Sequence, residues 1–536
     1  MIQEFLRRKQ LASPAAERSY SFVLRPYETS LTLKQGDSLS TDSFLGVNEI
    51  KNKQKIRFEF LPINQKVTFN TKRPYGWGDG LMIPNVGLQY YLSTGIYSKL
   101  WIFHIQLQPE YIVASNRQYQ GFNSNFSEQI IKSKFRDYNT GDYPERFGEG
   151  RYSRFWWGQS KLTIQAGAFE LGVATQNIWW GPGQWNSLTF SNNASGFPHL
   201  TINTRRPAKT FLGNFEGQIL SGRLENSMFS PTQDSELNEQ YFRGFTGDWR
   251  YLNAILISYN PKWIPSLYLG LNRTFQQYNL NRGNKFRDYF PIFDAFQKEK
   301  IFENGNSAEF DNEGRDQQLV FFFRLLVPAA KMEIYGEYGR RDHNFNWREA
   351  ILNPEHARAF LFGFNKLIQT SHSNHWFQIR GELTQQQESV NRYIRYDGIT
   401  GGLSWHTHTR ARGFSELGQP LGVGIGTGSN VQTLELSLVE GINKKGLLIE
   451  RLANNQDFYY RAFGQNTHIK PWVDLSLGLL WDQQWNNLIF SGKAQFIKSY
   501  NYQWIQQTSG PADLHKGHNP FAFYGTLNLI YRIGGN

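Results

Sequence analysis

The chain of 536 residues carries a formal net charge of +12, 16% aromatic residues and no cysteine, at a mean hydropathy of −0.55. No window approaches ~18 consecutive apolar residues, which excludes membrane-spanning helices, and the missing thiols exclude a disulfide framework or a cysteine metal site. The basic balance favours acidic partners; nucleic acid is the usual candidate, but Lys and Arg are dispersed without a cluster, and an acidic polysaccharide or a lipopolysaccharide phosphate fits equally well on charge alone.

Residues 1–55 differ from the rest of the chain. Ile2–Leu11 has the spacing of a short amphipathic helix, Ser19–Leu33 alternates weakly, and Met1–Arg8 lacks the apolar core of a signal peptide. The expectation is a periplasmic N-terminal segment over 1–55, partly helical and packed under the remainder of the chain.

From there strand-like runs come in pairs. They fall at 56–70 and 86–98, 100–114 and 161–167, 170–176 and 199–207, 214–225 and 250–260, and 267–277 and 317–327. They continue at 330–341 and 356–368, 374–387 and 431–441, 445–458 and 471–481, and 488–502 and 521–533. Connections within a pair are mostly long, as at 71–85, 115–160, 177–198, 278–316 and 388–430. Between pairs they are short, as at Val327–Ala330, Gly441–Gly446 and Asp482–Asn487. Short turns at one end and long loops at the other, over about 18 strands, are the pattern of an outer-membrane barrel.

The parity agrees. Trp101, Phe103, Ile105 and Leu107 alternate with His104, Gln106, Gln108 and Glu110, and Phe377, Ile379 and Leu383 with Gln378, Arg380, Glu382 and Thr384. On Trp472–Trp481, Leu475, Leu477, Leu479 and Trp481 alternate with Asp474, Ser476 and Gly478. A strand with lipid outside and a polar lumen inside needs this dyad, because successive side chains point to opposite faces. The predicted fold is all-β: a transmembrane barrel of antiparallel strands over 56–536, with long extracellular loops plugging its lumen. Pro109 interrupts one strand, which is tolerated only at a bulge or where no ladder bond is needed. The other all-β reading is a soluble propeller or sandwich. Against it, no period of ~40–50 residues repeats, and serial Leu, Phe and Trp would be out of place on a soluble surface.

The densest unusual segment is Asn177-Ile-Trp-Trp-Gly-Pro-Gly-Gln-Trp185, followed by Asn192 and Asn193. Aromatic planes beside amides suit sugar rings, whose C–H faces stack while their hydroxyls hydrogen-bond. The same residues also suit a loop that folds into the lumen with its Trp side chains packed, and both readings stand. Around 342–355, Glu337, Arg340, Asp342, His343, Arg348, Glu355 and His356 form a charged cluster. It fits recognition of an anionic sugar by Arg and His, or a salt-bridge network bracing the loop. Glu337 and Asp342 as a glycosidase pair, and His406-Thr-His408 as a metal fragment, are patterns any large polar chain contains. No catalytic residue, metal ligand or cofactor is assigned. Gly422–Gly428 reads as a glycine-rich bend near the rim.

Several of these segments carry a resemblance. Asn177–Phe197, Arg205-Arg206-Pro207, Phe215-Glu-Gly-Gln218, Pro74-Tyr-Gly-Trp-Gly-Asp-Gly-Leu-Met-Ile-Pro84, Pro144-Glu-Arg-Phe-Gly148, Gly158-Gln-Ser160, Gly339-Arg-Arg-Asp-His-Asn344, Pro354-Glu-His356 and Gly424-Ile-Gly-Thr-Gly-Ser-Asn430 together look like the Wzi-type capsule assembly family in its Bacteroidota form. The resemblance covers essentially the whole chain. It implies an outer-membrane barrel with a periplasmic helical element, a lumen plugged by loops, and a lectin role in anchoring or assembling capsular polysaccharide at the cell surface. It also implies that Ile2–Leu11 belongs to the periplasmic segment and that a leader preceded Met1. It does not fix the sugar-contacting residues.

These readings converge on a non-enzymatic surface lectin of the bacterial outer membrane. Its outward-facing loops would hold polysaccharide through Trp77, Asp79, Trp179, Trp180, Asn192, Asn193, Arg340 and His343. The expected partners are capsular or extracellular polysaccharide, acidic on the charge argument, outer-membrane lipid or lipopolysaccharide, and outer-membrane assembly partners. The alternatives are a porin or substrate-specific channel, and a structural subunit of an export complex.

Overall fold

The computed structural model describes residues 2–12, 23–24, 56–294, 314–341, 351, 355, 357–371, 375–388, 404–464, 468–507 and 516–533. Among them, eighteen antiparallel strands close into a barrel. They are β1 Ile56–Asn70, β2 Gly87–Leu100, β3 in two pieces (Phe103–Leu107 and Glu110–Ala114), β4 in two pieces (Tyr152–Trp156 and Lys161–Ala166), β5 Phe169–Ala174 and β6 His199–Thr204. Then come β7 Gly213–Leu224, β8 Arg250–Pro261, β9 Leu267–Tyr278, β10 Asp316–Val327, β11 Met332–Arg341 and β12 Arg358–Gln369. The last are β13 Trp376–Gln385, β14 Asn430–Glu440, β15 Asn443–Ala453, β16 Val473–Trp485, β17 Leu488–Tyr500 and β18 Phe521–Tyr531. The ring is sealed by β18 on β1, from Ile63 opposite Tyr531 to Asn70 opposite Tyr524.

The alternation in the sequence is the alternation of the wall. On β16, Leu475, Leu477, Leu479 and Trp481 stand outward and exposed, while Asp474 on the other parity is fully buried toward the lumen. Exposed aromatics gather at both rims. Trp101, Phe211, Trp263 and Trp485 lie by the short turns, and Trp157, Tyr500 and Phe521 lie toward the long loops. Such girdles belong at the two membrane–water interfaces.

The prolines sit where the ladder is already broken. The β1–β2 register shifts between Leu61 and Asn64, around Pro62. Pro109 divides β3, and β4 breaks beside it at 157–160, leaving a single bridge from Gln108 to Gly158. A residue without an N–H costs no ladder bond there. The expected loop at 115–160 is therefore too long. Tyr152–Trp156 is already wall, paired with Glu110–Ala114.

The helix α1, Ile2–Ala12, lies inside the barrel, not beneath it. Arg7 Nε is 3.0 Å from Glu333 Oε1 on β11, and Arg8 donates to Gly441 O in the β14–β15 turn at 2.8 Å. Glu4 meets Lys444 of β15 at 2.9 Å and Arg380 of β13 at 3.3 Å. Phe5 and Leu11 are buried. The reason is electrostatic: the inward faces near the short turns carry Glu333, Glu435 and Asp482 against Arg324, Arg380 and Lys444, and the helix supplies charges of both signs to complete the pairs. Elsewhere in 1–55 only Val23–Leu24 is described, as a two-residue strand on Trp179–Trp180.

At the opposite end the long loops fold on one another. The helices α2 Glu128–Thr140, α3 Ser235–Tyr241 and α5 Gln456–Phe463 (α4 being the single turn Phe286–Tyr289) share an apolar cluster of Phe122, Phe135, Leu237, Phe458 and Trp504. Arg461 pairs with Asp137 at 2.5 Å. Asp457 of α5 accepts from Glu388 N at 2.9 Å and from the Ser404 hydroxyl. Burial, then the charge of Glu388, push its carboxyl up to about 8. A carboxyl raised this way stabilises the fold fully below its unfolded value of ~3.9 and loses that contribution as pH rises through about 8. Hydrogen-exchange protection of 456–463 is therefore expected to fall between pH 6 and 9 in the unmodified protein, and to stay flat over that range in Asp457→Asn.

Candidate functional site

Among the described residues, three connections enter the lumen and hold one another: 71–86 after β1, 175–198 after β5, and 404–429 before β14. The second is fixed by two inward carboxylates. Glu337 of β11 accepts the backbone N–H of Gly183 at 3.1 Å and of Leu188 at 2.9 Å. Glu382 of β13 accepts those of Gln184 at 2.6 Å, Trp185 at 3.2 Å and Asn186 at 3.0 Å, and the Tyr335 hydroxyl at 3.0 Å. The chain must turn tightly to present consecutive N–H groups to a carboxylate. A Cβ at Gly183 would lie 1.9 Å from Asn186 O, so only glycine fits. Glu337 thus serves as an anchor for the plug, and Asp342, its partner in the glycosidase pattern, lies outside the described residues.

The first connection is zipped to the second. Gly78 N donates to Asn193 Oδ1 at 3.1 Å, Asn192 Nδ2 to Gly78 O at 3.1 Å, and Gly80 N to Asn192 O at 2.7 Å. The third closes over both. Ser191 N donates to Leu421 O at 2.8 Å, Asn193 Nδ2 to Pro420 O at 3.0 Å, Gln419 Nε2 to Met82 O at 3.2 Å, and Trp405 Nε1 to Leu188 O at 3.1 Å. The glycine-rich 422–428 run is part of this seal and not a bend at the rim.

Among the described residues, Tyr75, Gly76 and Trp77 line two chambers. The one on the loop side holds about 150 Å³, between Trp77, Asp79, Tyr143, Asn193, His406, Gln419 and Tyr524. Asp79 is fixed there by Lys66 and by the Tyr524 hydroxyl at 3.2 Å. Gly76 is required beneath it, since a Cβ would lie 2.5 Å from the Tyr524 ring and its φ is +96°. The other holds about 290 Å³, above α1, between Trp179, Trp185, Arg380, Lys444, Lys493 and Gln495. The Arg380 guanidinium stands 4.4 Å over the Trp185 ring. Three of its cations are neutralised: Arg7 by Glu333, Arg380 by Glu4 and Glu435, and Lys444 by Glu4, Glu435 and Asp482.

The residues chosen from the sequence divide accordingly. Trp77, Asp79 and Asn193 line the loop-side chamber, Asn192 ties its wall, and Trp179 faces the inner chamber. They are lumenal and not on outward-facing loops. Trp180 has no exposed surface: its ring packs edge-on to Phe190 at 4.8 Å and its Nε1 donates to Gln218 at 2.9 Å, so no face is left for a sugar. Arg340 shares the outward parity of Ile334 and Tyr338 on β11, which puts the barrel wall between it and Trp77. His343 lies outside the described residues. Sequence reasoning does not find Tyr75, Tyr143, His406 and Tyr524 as lining residues. Tyr75 stands in the Pro74–Pro84 motif, whereas nothing marks Tyr524 apart from its inward parity on β18. Because Trp180 is core, Trp180→Ala is expected to cost about 3–5 kcal/mol, read as a lower temperature for loss of the compact, heat-modifiable gel band.

Among solved structures the chain is similar to one described as Wzi, an outer membrane protein involved in group 1 capsule assembly in Escherichia coli and a carbohydrate-binding β-barrel. The TM-score is 0.56 at 13% identity, over 99% of this chain and 98% of that one. OprD of Pseudomonas aeruginosa aligns at TM-score 0.40 and 7% identity over 90% and 94% of the two chains. OccAB4 of Acinetobacter baumannii aligns at 0.38 and 8% over 90% and 98%. No curated protein sequence matches. The family model described as capsule assembly protein Wzi matches residues 89–407, more than half of the chain; the chain belongs to that family and is an outer-membrane barrel with its long loops at the cell surface.

Proposed function

We propose that the protein is a surface lectin that binds capsular or extracellular polysaccharide and helps to anchor or assemble it, without chemistry of its own. The observation that carries this reading is the lumen: α1 and three mutually bonded connections fill it, so the wall serves to hold the loops and not to conduct. The outer-membrane protein of similar fold from Escherichia coli is described as carbohydrate-binding and as involved in capsule assembly. The loop side offers an aromatic and polar chamber around Trp77, Tyr143 and Tyr524 for a sugar ring. Its surroundings favour an acidic glycan: Lys72, Arg117, Lys132, Arg136, Arg151, Arg243, Arg410 and Lys470 are exposed on the long connections, against Glu128, Glu149, Glu236 and Glu239. In this reading α1 closes the periplasmic half of the lumen.

The test is retention of purified, detergent-solubilised protein on immobilised capsule. Binding is expected to weaken as salt rises from ~0.05 to about 0.5 M, because exposed charges are screened over that range, and to weaken in Trp77→Ala while the heat-modifiable band persists. Capsule binding that is indifferent to both would remove the site and the acidic-glycan assignment together.

A further inference from the structure

The outer wall holds an exception to the apolar belt. Near the long loops, outward positions of β8, β9 and β10 carry Asn253, Arg273, Gln277 and Gln317, polar groups that hydrocarbon would leave unsatisfied. They are covered instead by 279–294, which doubles back over the outside of the barrel. Arg273 Nη1 donates to Ile292 O at 3.2 Å and Asp294 O at 2.6 Å, and the Tyr251 hydroxyl donates to Tyr289 O at 2.6 Å. The flap turns Leu280, Phe286 and Phe293 outward, with Lys285 and Arg287 beside them.

Between this flap and the wall runs a groove of about 830 Å³. Its floor is Leu107, Leu162, Val173 and Leu200, all outward and exposed. Two guanidinium groups stand at its loop-side end. Arg282 lies 3.9 Å over the Tyr289 ring and 4.7 Å over that of Tyr251, and its Nε and Nη2 reach Asn279 Oδ1. Its Nη1 is buried and has no hydrogen-bond partner among the described residues. Arg223 lies 5.1 Å over Trp249 and donates to Glu225. The second nearby acid, Asp248, is occupied by Asn279 Nδ2 and Leu280 N.

We propose that this groove binds lipopolysaccharide through its lipid A portion, with acyl chains along Leu107, Leu162, Val173 and Leu200 and a phosphate on Arg223, in the field of the Arg282 charge. An apolar trough at outer-leaflet height suits acyl chains, and the half-exposed Arg223 guanidinium at its end suits a phosphate, with the positive charge of Arg282 beside it. This site is independent of the lumenal one and of the lectin reading.

The test is native mass spectrometry of the detergent-solubilised protein titrated with bisphosphoryl lipid A, its dephosphorylated form, and dioleoyl phosphatidylglycerol. Lipid A is expected to bind more tightly than either comparator, and Arg223→Ala with Arg282→Ala to weaken it about tenfold or more, the loss of one to two charge-assisted contacts. Since Arg282 also props the flap, Val173→Trp, which raises an indole from the trough floor and leaves both charges, is measured alongside and is expected to weaken lipid A binding. Equal binding of the dephosphorylated form, preference for phosphatidylglycerol, or unchanged lipid A binding in Val173→Trp would each overturn the assignment. Should the double Arg variant lose the heat-modifiable band, the Val173→Trp and dephosphorylated-lipid results decide alone.

Discussion

Replacing Glu337 and Glu382 together by Ala is expected to free the plug while leaving the wall intact. The two carboxylates take the backbone N–H groups of Gly183 and Leu188, and of Gln184, Trp185 and Asn186. Each buried donor left without an acceptor costs about 1–3 kcal/mol, so even the low end sums to about 5 kcal/mol for the segment. Water can relieve that cost only by entering the lumen, and its entry is the opening to be measured. The expected result is cleavage within 179–190 by an added protease, and current through planar bilayers that the unmodified protein does not pass. The gel band of the folded barrel should persist. Single replacements should give smaller effects, since the remaining carboxylate still holds its share of the turn.

The second large effect is expected at Glu333. It is fully buried between Arg7 of α1 and Arg324 of β10, at 3.0 and 2.6 Å, and also accepts from Asn365 at 3.2 Å. Such a pairing adds little net stability over an apolar equivalent, but removing one partner strands the other charges in the interior at about 3–5 kcal/mol. Glu333→Ala strands two. It is therefore expected to lower the temperature of heat modification more than Arg7→Ala, which leaves Glu333 still paired with Arg324. The double change Glu333→Ala with Arg7→Ala should cost less than the sum of the singles, because one stranded charge goes with its partner. Strict additivity would show that α1 is not held by this pair.

Much of the wall is legible in the sequence because the dyad is a hard constraint: lipid on one side and buried polar groups on the other leave each strand residue only one acceptable parity. That is why counting alone places His104 to Glu110 and Gln378 to Thr384 on the lumenal side. The split of β3 and β4 is half legible. Pro109 announces it, but Tyr152–Trp156 comes only after the long 115–151 connection and alternates too briefly to be distinguished from loop. The side of Arg340 is countable from Ile334 and Tyr338, yet its neighbours in the charged cluster draw it into the wrong group. The position of α1 is not legible. An amphipathic helix with Glu4, Arg7 and Arg8 can pack wherever complementary charge exists, and those charges come from β10, β11, β13 and β15, several hundred residues later. The site suffers for the same reason. Trp179 and Trp180 are adjacent and chemically identical, but one faces a chamber and the other the core, and only the backbone of the plug decides which.

The filled lumen and the lectin reading turn on one physical question, whether the barrel holds or conducts. Single-channel recording of the unmodified protein in planar bilayers answers it. A lumen filled by α1 and three bonded connections predicts protein that inserts without steady open-channel current, up to voltages that leave the bilayer intact. Stable, ohmic conductance from each inserted barrel, of the size expected for an unobstructed lumen, would contradict it.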